Sequence, residues 1–256
     1  MLKRLSTTKL NLYVQCPRKF KIRYIDGNYG DKISAYMMQG TVAHNAAESF
    51  IISEGRGKTL AERFAHYWPQ ELAERGGSDK INWYTSNESG FRKEGINLFN
   101  TKSVVDGISA MRALMVDGKP MVEHYFEFDI PGVGIPYCGF VDIVEDDGVP
   151  GDFKTSNKPW KASKASESLQ AALYLEGLKS EGFECPGDLF RFYILQKNPM
   201  KFARFEFPYS QAKRNWFLGL VQDAWRGIQA GAFPPCETTH WLCNPKWCEY
   251  WQECKG

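Results

Sequence analysis

The sequence predicts a mixed α/β domain in which helices flank a central group of strands. Helical periodicity fills much of the first half of the chain and returns near the end, whereas alternation of apolar and polar residues marks the middle. The length of 256 residues suffices for one large α/β domain, or for a domain with an appended helical part. With 43% hydrophobic and 24% charged residues, the chain should bury a core and is not disordered.

Composition excludes several classes of protein. The net charge is only +2, so any nucleic-acid surface must be a local basic patch. No segment reaches the run of about eighteen apolar residues that a membrane span needs. Seven cysteines, an odd and unevenly placed number, argue against a secreted disulfide framework. We expect a soluble protein of the cytoplasm, or of the host cytoplasm if the chain is viral.

The N-terminal segment predicts a helix followed by basic residues among aromatics. Ser6 and the threonines after it are typical helix caps, and Pro17 ends this helix or opens the next. The segment 18–24, which begins with Arg18 and Lys19, suits a helix that contacts phosphates, but it equally suits an amphipathic surface.

A second helical pattern places His44 and Glu48 four residues apart on one face. A lone histidine on a helix is more often structural than a metal ligand, and Glu48 could equally form a salt bridge with a surface arginine. Further helical patterns cover the segments 60–75 and 87–116, with two glycines between them.

Residues 137–155 predict two strands joined by a tight turn. A three-residue loop that ends at Gly148 would pair Glu145 with Val149. Counting outward from that pair sets Asp142 opposite Asp152, with Lys154 on the same face. The segment 122–130 alternates as a third strand and should pair with this hairpin.

Two neighbouring carboxylates are costly to hold ionised without a counter-charge. Mg²⁺ or Mn²⁺ solves that problem, because both prefer oxygen ligands. A lysine beside the metal can orient or deprotonate a water molecule. The alternative is an acidic hairpin whose lysine makes a surface salt bridge, because short motifs recur by accident.

The second half continues with alternating helices and strands. A basic loop at 155–164 contains Lys158, Trp160 and Lys161, and a helix capped by Ser166 or Ser168 then presents Gln170 and Tyr174 one turn apart. The remaining predicted elements are strands at 188–196 and 201–207, a helix at 209–230 that ends at a glycine, and a cysteine-rich tail.

In this order, the pieces resemble the RecB-like branch of the PD-(D/E)XK nuclease superfamily along nearly the whole chain. The G-x-x-x-H motif of that branch matches Gly40 through His44, and its G-x-x-D strand matches Gly139 through Asp142. Its (D/E)-x-K motif matches Asp152 through Lys154, and its Q-x-x-x-Y helix matches Gln170 through Tyr174. The resemblance implies a restriction-endonuclease-like core: a mixed central sheet flanked by helices, with a helical N-terminal part.

The resemblance also implies the role of each matched residue. His44, Asp142, Asp152 and the carbonyl of Phe153 would bind Mg²⁺ or Mn²⁺, and Lys154 would position or activate the attacking water. Gln170 and Tyr174 would brace the lysine or contact the DNA backbone. Glu123 resembles more loosely a glutamate found on the first strand of the family.

The cysteines carry a second resemblance, to AddB-type and CRISPR-associated RecB-like exonucleases. In those enzymes one cysteine before the core and three after it hold a [4Fe-4S] cluster. The matching residues of this chain are Cys16, Cys243, Cys248 and Cys254. Because the gap from Cys243 to Cys248 is wider than usual in the family, Cys236 remains a substitute ligand. Four thiolates could instead bind Zn²⁺. Free buried thiols are expected for two others, Cys138 and Cys185.

The sequence therefore predicts one nuclease domain over 1–256, with a helical insertion at 33–118, a catalytic core at 120–207, and an iron-sulfur staple from residue 16 to 236–254. We expect a DNA exonuclease of recombination, repair, phage DNA metabolism or CRISPR spacer processing. Its partner would be DNA, with a recombination, helicase or CRISPR-adaptation protein beside it. Two alternatives are a nuclease-fold protein that binds DNA ends without cutting, and an RNase or structure-specific endonuclease.

Overall fold

A five-stranded mixed sheet lies at the centre of the computed structural model, which describes residues 2–255. Its strands follow one another in chain order; β7 and β8 are parallel and the other neighbours antiparallel. The strands are β5 (Val122–Phe128), β6 (Tyr137–Val144), β7 (Pro150–Ser156), β8 (Leu189–Lys197) and β9 (Met200–Pro208). Two small pairs are formed by β1 (Ile33–Ser34) with β2 (Ile81–Asn82), and by β3 (Met115–Val116) with β4 (Lys119–Pro120).

Helices cover both faces of this sheet, which confirms the predicted fold class. They are α1 (Thr7–Gln15), α2 (Pro17–Phe20), α3 (Ala35–Ile52), α4 (Leu60–Glu74), α5 (Glu88–Asn100), α6 (Lys102–Ser109), α7 (Ala162–Ser166), α8 (Leu169–Ser180), α9 (Gln211–Gln229) and α10 (Trp251–Lys255). A π-helical turn, Lys21–Ile25, continues α2. None of the described helices is long and apolar enough to cross a membrane.

Two apolar clusters fix the sheet between its helix layers. The first includes buried side chains of α1, α8 and α9, and the second those of α3 to α6. Neighbouring residues of the sheet point to opposite clusters: Phe192 packs in the first, whereas Phe153 and Tyr193 pack in the second. The predicted helical segment 33–118 is therefore packed against the sheet.

The β6–β7 hairpin has the predicted register. The amide of Glu145 donates to the Val149 carbonyl at 3.0 Å, and Gly148 has a φ of 81°, which glycine adopts without a steric penalty. Ile143 pairs with Gly151 and Val144 with Pro150, which continues the count that sets Asp142 opposite Asp152. In the part of the chain described, ladder pairing stops there, and beyond it each strand pairs with its other neighbour. The two strands therefore open a gap at the acidic pair.

Several predicted caps and element ends are confirmed. Ser6 accepts a hydrogen bond from the Lys9 amide at the start of α1, and Pro17 opens α2. Ser168, and not Ser166, caps α8.

The helical pattern predicted for 87–116 is divided between two helices, and its last residues are not helical. Thr101 has extended backbone and its hydroxyl bonds to the Asn97 carbonyl, which separates α5 from α6. The second helix then ends at Ser109 and the chain continues into β3. The predicted basic loop at 155–164 also differs, because its last residues begin α7.

The cysteine-rich tail docks on the N-terminal helices. The Arg18 amide and guanidinium donate to the carbonyls of Pro234 and Phe233, each at 3.0 Å. Lys19 forms an ion pair of 2.6 Å with Glu249. The Tyr250 hydroxyl donates to the Asn28 carbonyl at 2.7 Å. The two ends of the described chain thus form one surface beside the sheet.

Candidate metal-binding and catalytic site

The gap between β6 and β7 brings together the acidic pair and the lysine predicted from sequence. Asp142 and Asp152 are 5% and 1% exposed. An oxygen of Asp142 accepts the Phe153 amide at 2.6 Å, in place of a ladder hydrogen bond. The Lys154 ammonium lies 2.5 Å from the second oxygen of Asp152. The two strands therefore hold a buried acidic pair with one cation at its edge.

Helix α3 adds two side chains to this pair. His44 and Glu48, one turn apart, lie with Asp142 so that one potential ligand atom of each is within 4.8 Å of the others. The distance from His44 Nδ1 to Asp142 Oδ2 is 3.3 Å. Among the residues described, these three form the only such group of histidine, cysteine or acidic side chains. A nitrogen and several carboxylate oxygens converge at one point.

The Phe153 backbone faces the same gap. Its amide points to Asp142, and the N–H and C=O groups of one strand residue are directed to the same edge. The carbonyl of Phe153 is therefore turned toward β6, the direction that a ligand to a metal in the gap requires.

Burial decides the protonation of this cluster. It raises the pKa of Glu48 to about 10, with the neighbouring carboxyl of Glu123 and the charge of Asp142 adding to the effect. It also raises the pKa of Asp142, to which the nearby Asp152 contributes, and it lowers the pKa of His44 to about 4. The imidazole is thus neutral at pH 7, as a metal ligand must be. One oxygen of Glu48 is buried without a hydrogen-bond partner. This donor set fits a divalent cation.

Metal binding should release protons, because the carboxylates with raised pKa must ionise to become ligands. Without metal, the stability due to protonated Glu48 is present below pH 4.5 and is lost as the pH rises toward 10. We therefore expect the affinity for Mn²⁺ to increase with pH in this window. Calorimetric titration in buffers of different ionisation enthalpy would measure the released protons. A heat independent of the buffer would contradict this, and Glu48→Gln should release fewer protons.

Glu48 is a site residue that the sequence did not single out. The sequence equally allows a salt bridge with a surface arginine; instead the side chain is 8% exposed, and in the described chain no ion pair includes it. The sequence does contain one indication of this burial: two small apolar residues, Ala46 and Ala47, come directly before Glu48. Both alanines are buried on the inner face of the helix. Glu123, on β5, lies near it and contributes to its raised pKa, and the backbone of Glu123 has a φ of +50°.

The two residues of the predicted Q-x-x-x-Y helix reach the site from the opposite layer. Gln170 donates to Asp152 at 2.5 Å, so the structure places it against the carboxylate and not against Lys154. Tyr174 lines the same cavity, and burial raises its pKa above the ordinary value, so its phenol stays protonated. The cavity has a volume of about 750 Å³ and extends from these residues to Lys19 and Arg23.

The five residues predicted to bind DNA are dispersed. Lys19 lines the cavity of the acidic pair, whereas Arg18 faces the tail and lies outside that cavity. The Trp160 ring packs on Phe192 at 5.4 Å between ring centres, so it is engaged in the core. The charged side chains of Lys158 and Lys161 are exposed. Their contact with DNA stays a prediction.

The terminal cysteines meet around one small cavity. Cys16 reaches it from the start of α2, and burial raises the pKa of Cys236 to about 12, with the neighbouring thiols of Cys16 and Cys243 contributing. The lining thiols are those of Cys16, Cys236, Cys243, Cys248 and Cys254. The other two cysteines lie elsewhere: Cys138 donates to the Leu5 carbonyl, and Cys185 is buried in the first apolar cluster.

Comparison with known proteins gives three results. The profile of the PD-(D/E)XK nuclease superfamily matches residues 4–255. The gene 69 protein of Mycobacterium phage D29 is 26% identical over 253 residues, which cover 90% of this chain and 89% of that protein. The fold is similar to the crystal structure of a proposed exonuclease from Eubacterium rectale. That match has a TM-score of 0.56 and 10% identity, and it covers 94% of this chain and 87% of the other.

Proposed function

Because the chain belongs to the PD-(D/E)XK nuclease superfamily, we propose that it is a Mg²⁺- or Mn²⁺-dependent exonuclease that hydrolyses phosphodiester bonds at DNA ends. The observation that carries this proposal is the convergence of Asp142, Asp152 and Lys154 with His44 and Glu48 in one cavity. A module that only binds DNA has no need to bury this set of charges.

The ligands of the cation would be His44, Glu48 and Asp142, together with Asp152 and the Phe153 carbonyl. When bound, a divalent cation supplies Lewis acidity that stabilises charge on the phosphate. Asp152 holds the Lys154 ammonium at the edge of the cluster, and Gln170 fixes the carboxylate that does so. From this position Lys154 orients the attacking water.

Hydrolysis joins the oxygen of that water to phosphorus and breaks the bond from phosphorus to the 3′-oxygen, which takes up a proton. Tyr174, a protonated phenol in the same cavity, can donate a hydrogen bond to a phosphate oxygen. The role of each side chain is thus to bind metal, to orient water or to hold the phosphate.

In this proposal the whole chain, 1–256, forms a single nuclease domain. The helical segment 33–118 supplies His44 and Glu48, whereas the core at 120–207 supplies the remaining ligands, so neither part holds the site alone. The relative encoded by a mycobacteriophage supports a role in phage DNA metabolism, which would place the reaction in the host cytoplasm. Recombination and repair proteins, a helicase among them, are the partners that such a role implies.

Digestion of end-labelled linear DNA, single- and double-stranded, beside covalently closed circles tests the proposal. We expect loss of linear DNA with Mn²⁺ or Mg²⁺, none with EDTA, and intact circles. Cleavage of the circles would instead indicate an endonuclease. Binding of DNA without cleavage in any divalent metal would support a non-cutting end-binding protein and overturn the nuclease. An RNA arm run in parallel distinguishes an RNase.

For the cysteine cavity we propose a [4Fe-4S] cluster held by Cys16, Cys243, Cys248 and Cys254, with Cys236 as the substitute ligand. Five thiols around one cavity meet the need for four. A single Zn²⁺ with four thiolates would require sulfurs about 3.8 Å apart, from its ~2.3 Å bonds. The metal content of the purified protein, iron or zinc, distinguishes the two groups.

Anaerobic purification should yield a brown protein containing iron and acid-labile sulfide. We expect Cys248→Ser to lose most of the iron, because the variant removes a thiol ligand. The matched control is Cys185→Ala, which changes a buried thiol outside the cavity. A colourless preparation with zinc and no iron would overturn the cluster and leave the nuclease proposal intact.

A further inference from the structure

A second cavity adjoins the catalytic one. It has a volume of about 480 Å³ and lies between residues 75–84 and the cysteine-rich tail. The two cavities share part of their lining: Lys19, Arg23, Met37 and Glu249. A polymer whose end is at the acidic pair would continue into this second space, which we call the tail cleft.

The tail cleft concentrates positive charge in a chain whose net charge is only +2. Six cations and two carboxylates line it: Lys19, Arg23, Lys32, Arg75, Lys80 and Lys246, with Asp31 and Glu249. Lys19 and Arg23 pair with Glu249, and Arg75 pairs with Glu71. Within residues 2–255 the remaining three lysines form no ion pair, and all three are exposed. Three cations are therefore free to contact an anion.

Aromatic rings lie among these lysines. Tyr29 is 60% exposed and Trp247 is 38% exposed. Trp247 is 5.3 Å from Tyr84 between ring centres, and Tyr84 is at the same distance from Tyr36, so the three rings form a row. The Lys246 ammonium lies 5.0 Å from the Trp247 ring centre. Exposed rings such as Tyr29 and Trp247 beside unpaired cations form the arrangement on which unpaired bases stack while lysines contact phosphates.

We propose that the tail cleft binds the single-stranded continuation of the nucleic acid whose end is cut, and that Tyr29, Trp247, Lys32, Lys80 and Lys246 hold it. The proposal rests on the proposed nuclease function. Base pairing and stacking in a duplex hide the faces of the bases, so exposed rings among lysines favour a single strand over a duplex. The substrate class is therefore a strand that is single-stranded for several nucleotides inward from its end.

Binding is measured separately from cleavage, by fluorescence anisotropy of labelled oligothymidylate in EDTA. We expect Trp247→Ala and Tyr29→Ala each to raise the Kd by about tenfold, because each removes one stacking surface. Trp241→Ala is the matched control: this tryptophan is also in the tail, is 61% exposed and lies outside the cleft. Trp247→Phe should restore most of the affinity, which would show that loss of stacking, and not a disturbed tail, causes the effect.

The lysines are tested by the dependence of binding on salt. Lys32→Gln and Lys80→Gln should each reduce the slope of log Kd against log salt by about 0.7, the value for one phosphate contact on a single strand.

The two proposals fail in different ways. If wild-type protein digests DNA but Trp247→Ala and Tyr29→Ala bind oligothymidylate like wild type, the tail cleft is overturned and the nuclease stands. If no metal supports cleavage but these variants bind weakly, the nuclease is overturned and the cleft stands. Tighter binding of blunt duplex than of single strand would also overturn the cleft.

Discussion

Lys154→Ala is expected to lower the rate of DNA cleavage by about 10²–10⁴-fold, the usual contribution of a positioned acid–base group. The ammonium of Lys154 is the one cation beside the acidic pair in the described chain, at 2.5 Å from Asp152. Without it the attacking water loses its partner, whereas the metal ligands keep their positions. Single-turnover digestion of labelled DNA at saturating Mn²⁺ measures the change.

The control for this prediction is Lys201→Ala, which removes an exposed lysine of the same sheet, on β9, outside the cavity of the acidic pair. It should cut within a few-fold of wild type. Mn²⁺ titration must show that Lys154→Ala still binds metal, so that a lost ligand is not mistaken for a lost catalyst. Cleavage by Lys154→Ala at the wild-type rate would exclude this lysine from the reaction.

Arg191→Leu is expected to lower the free energy of unfolding by about 3–5 kcal/mol, the usual cost of removing one partner of a buried ion pair. Arg191, on β8, is 5% exposed. Its guanidinium donates to Glu206 at 2.7 Å, to Glu145 at 3.0 Å and to both oxygens of Asp147. The substitution leaves the buried carboxylate of Glu145 without its cation.

The same substitution should also slow cleavage, because Glu145 and Asp147 form the turn that sets the register of the acidic pair. Urea denaturation followed by fluorescence gives the stability. Arg204→Ala, which also bonds to Glu206 but is largely exposed, is the control and should cost less than about 1 kcal/mol. A loss below 1 kcal/mol for Arg191→Leu would show that the turn does not depend on this arginine.

The part of the site that lies on the hairpin could be predicted because its geometry is local. Turn residues fix the loop at Gly148, and strand alternation then fixes which side chains face each other. The relative positions of three site residues can therefore be derived by counting along the hairpin: Asp142, Asp152 and Lys154. The family motif is what favours His44 as a ligand, because a histidine that shares a helix face with a glutamate is more often structural.

The remaining features depend on how distant segments dock. The sequence does not show that α3 packs next to β6, which places Glu48 beside Asp142. It also does not show that the Trp160 ring packs on Phe192 and so is not free to contact DNA. The break at Thr101 was missed because a threonine hydroxyl can bond within a helix or end one, and packing decides between them. The tail cleft joins residues 29–32, 75–84 and 245–249, and no local pattern relates these segments.

The docking of the tail on the first helices has a consequence during biosynthesis. Glu249, which neutralises Lys19 and Arg23, is 230 residues away from Lys19 in the chain. At about 5–20 residues per second, a ribosome delivers Glu249 roughly ten seconds to a minute after Lys19. During this interval the sheet and its metal ligands can form, but the wall of the catalytic cavity is open. The proposed nuclease site is therefore completed last on its side next to the tail, so a nascent chain lacks this wall until residue 249 has been made.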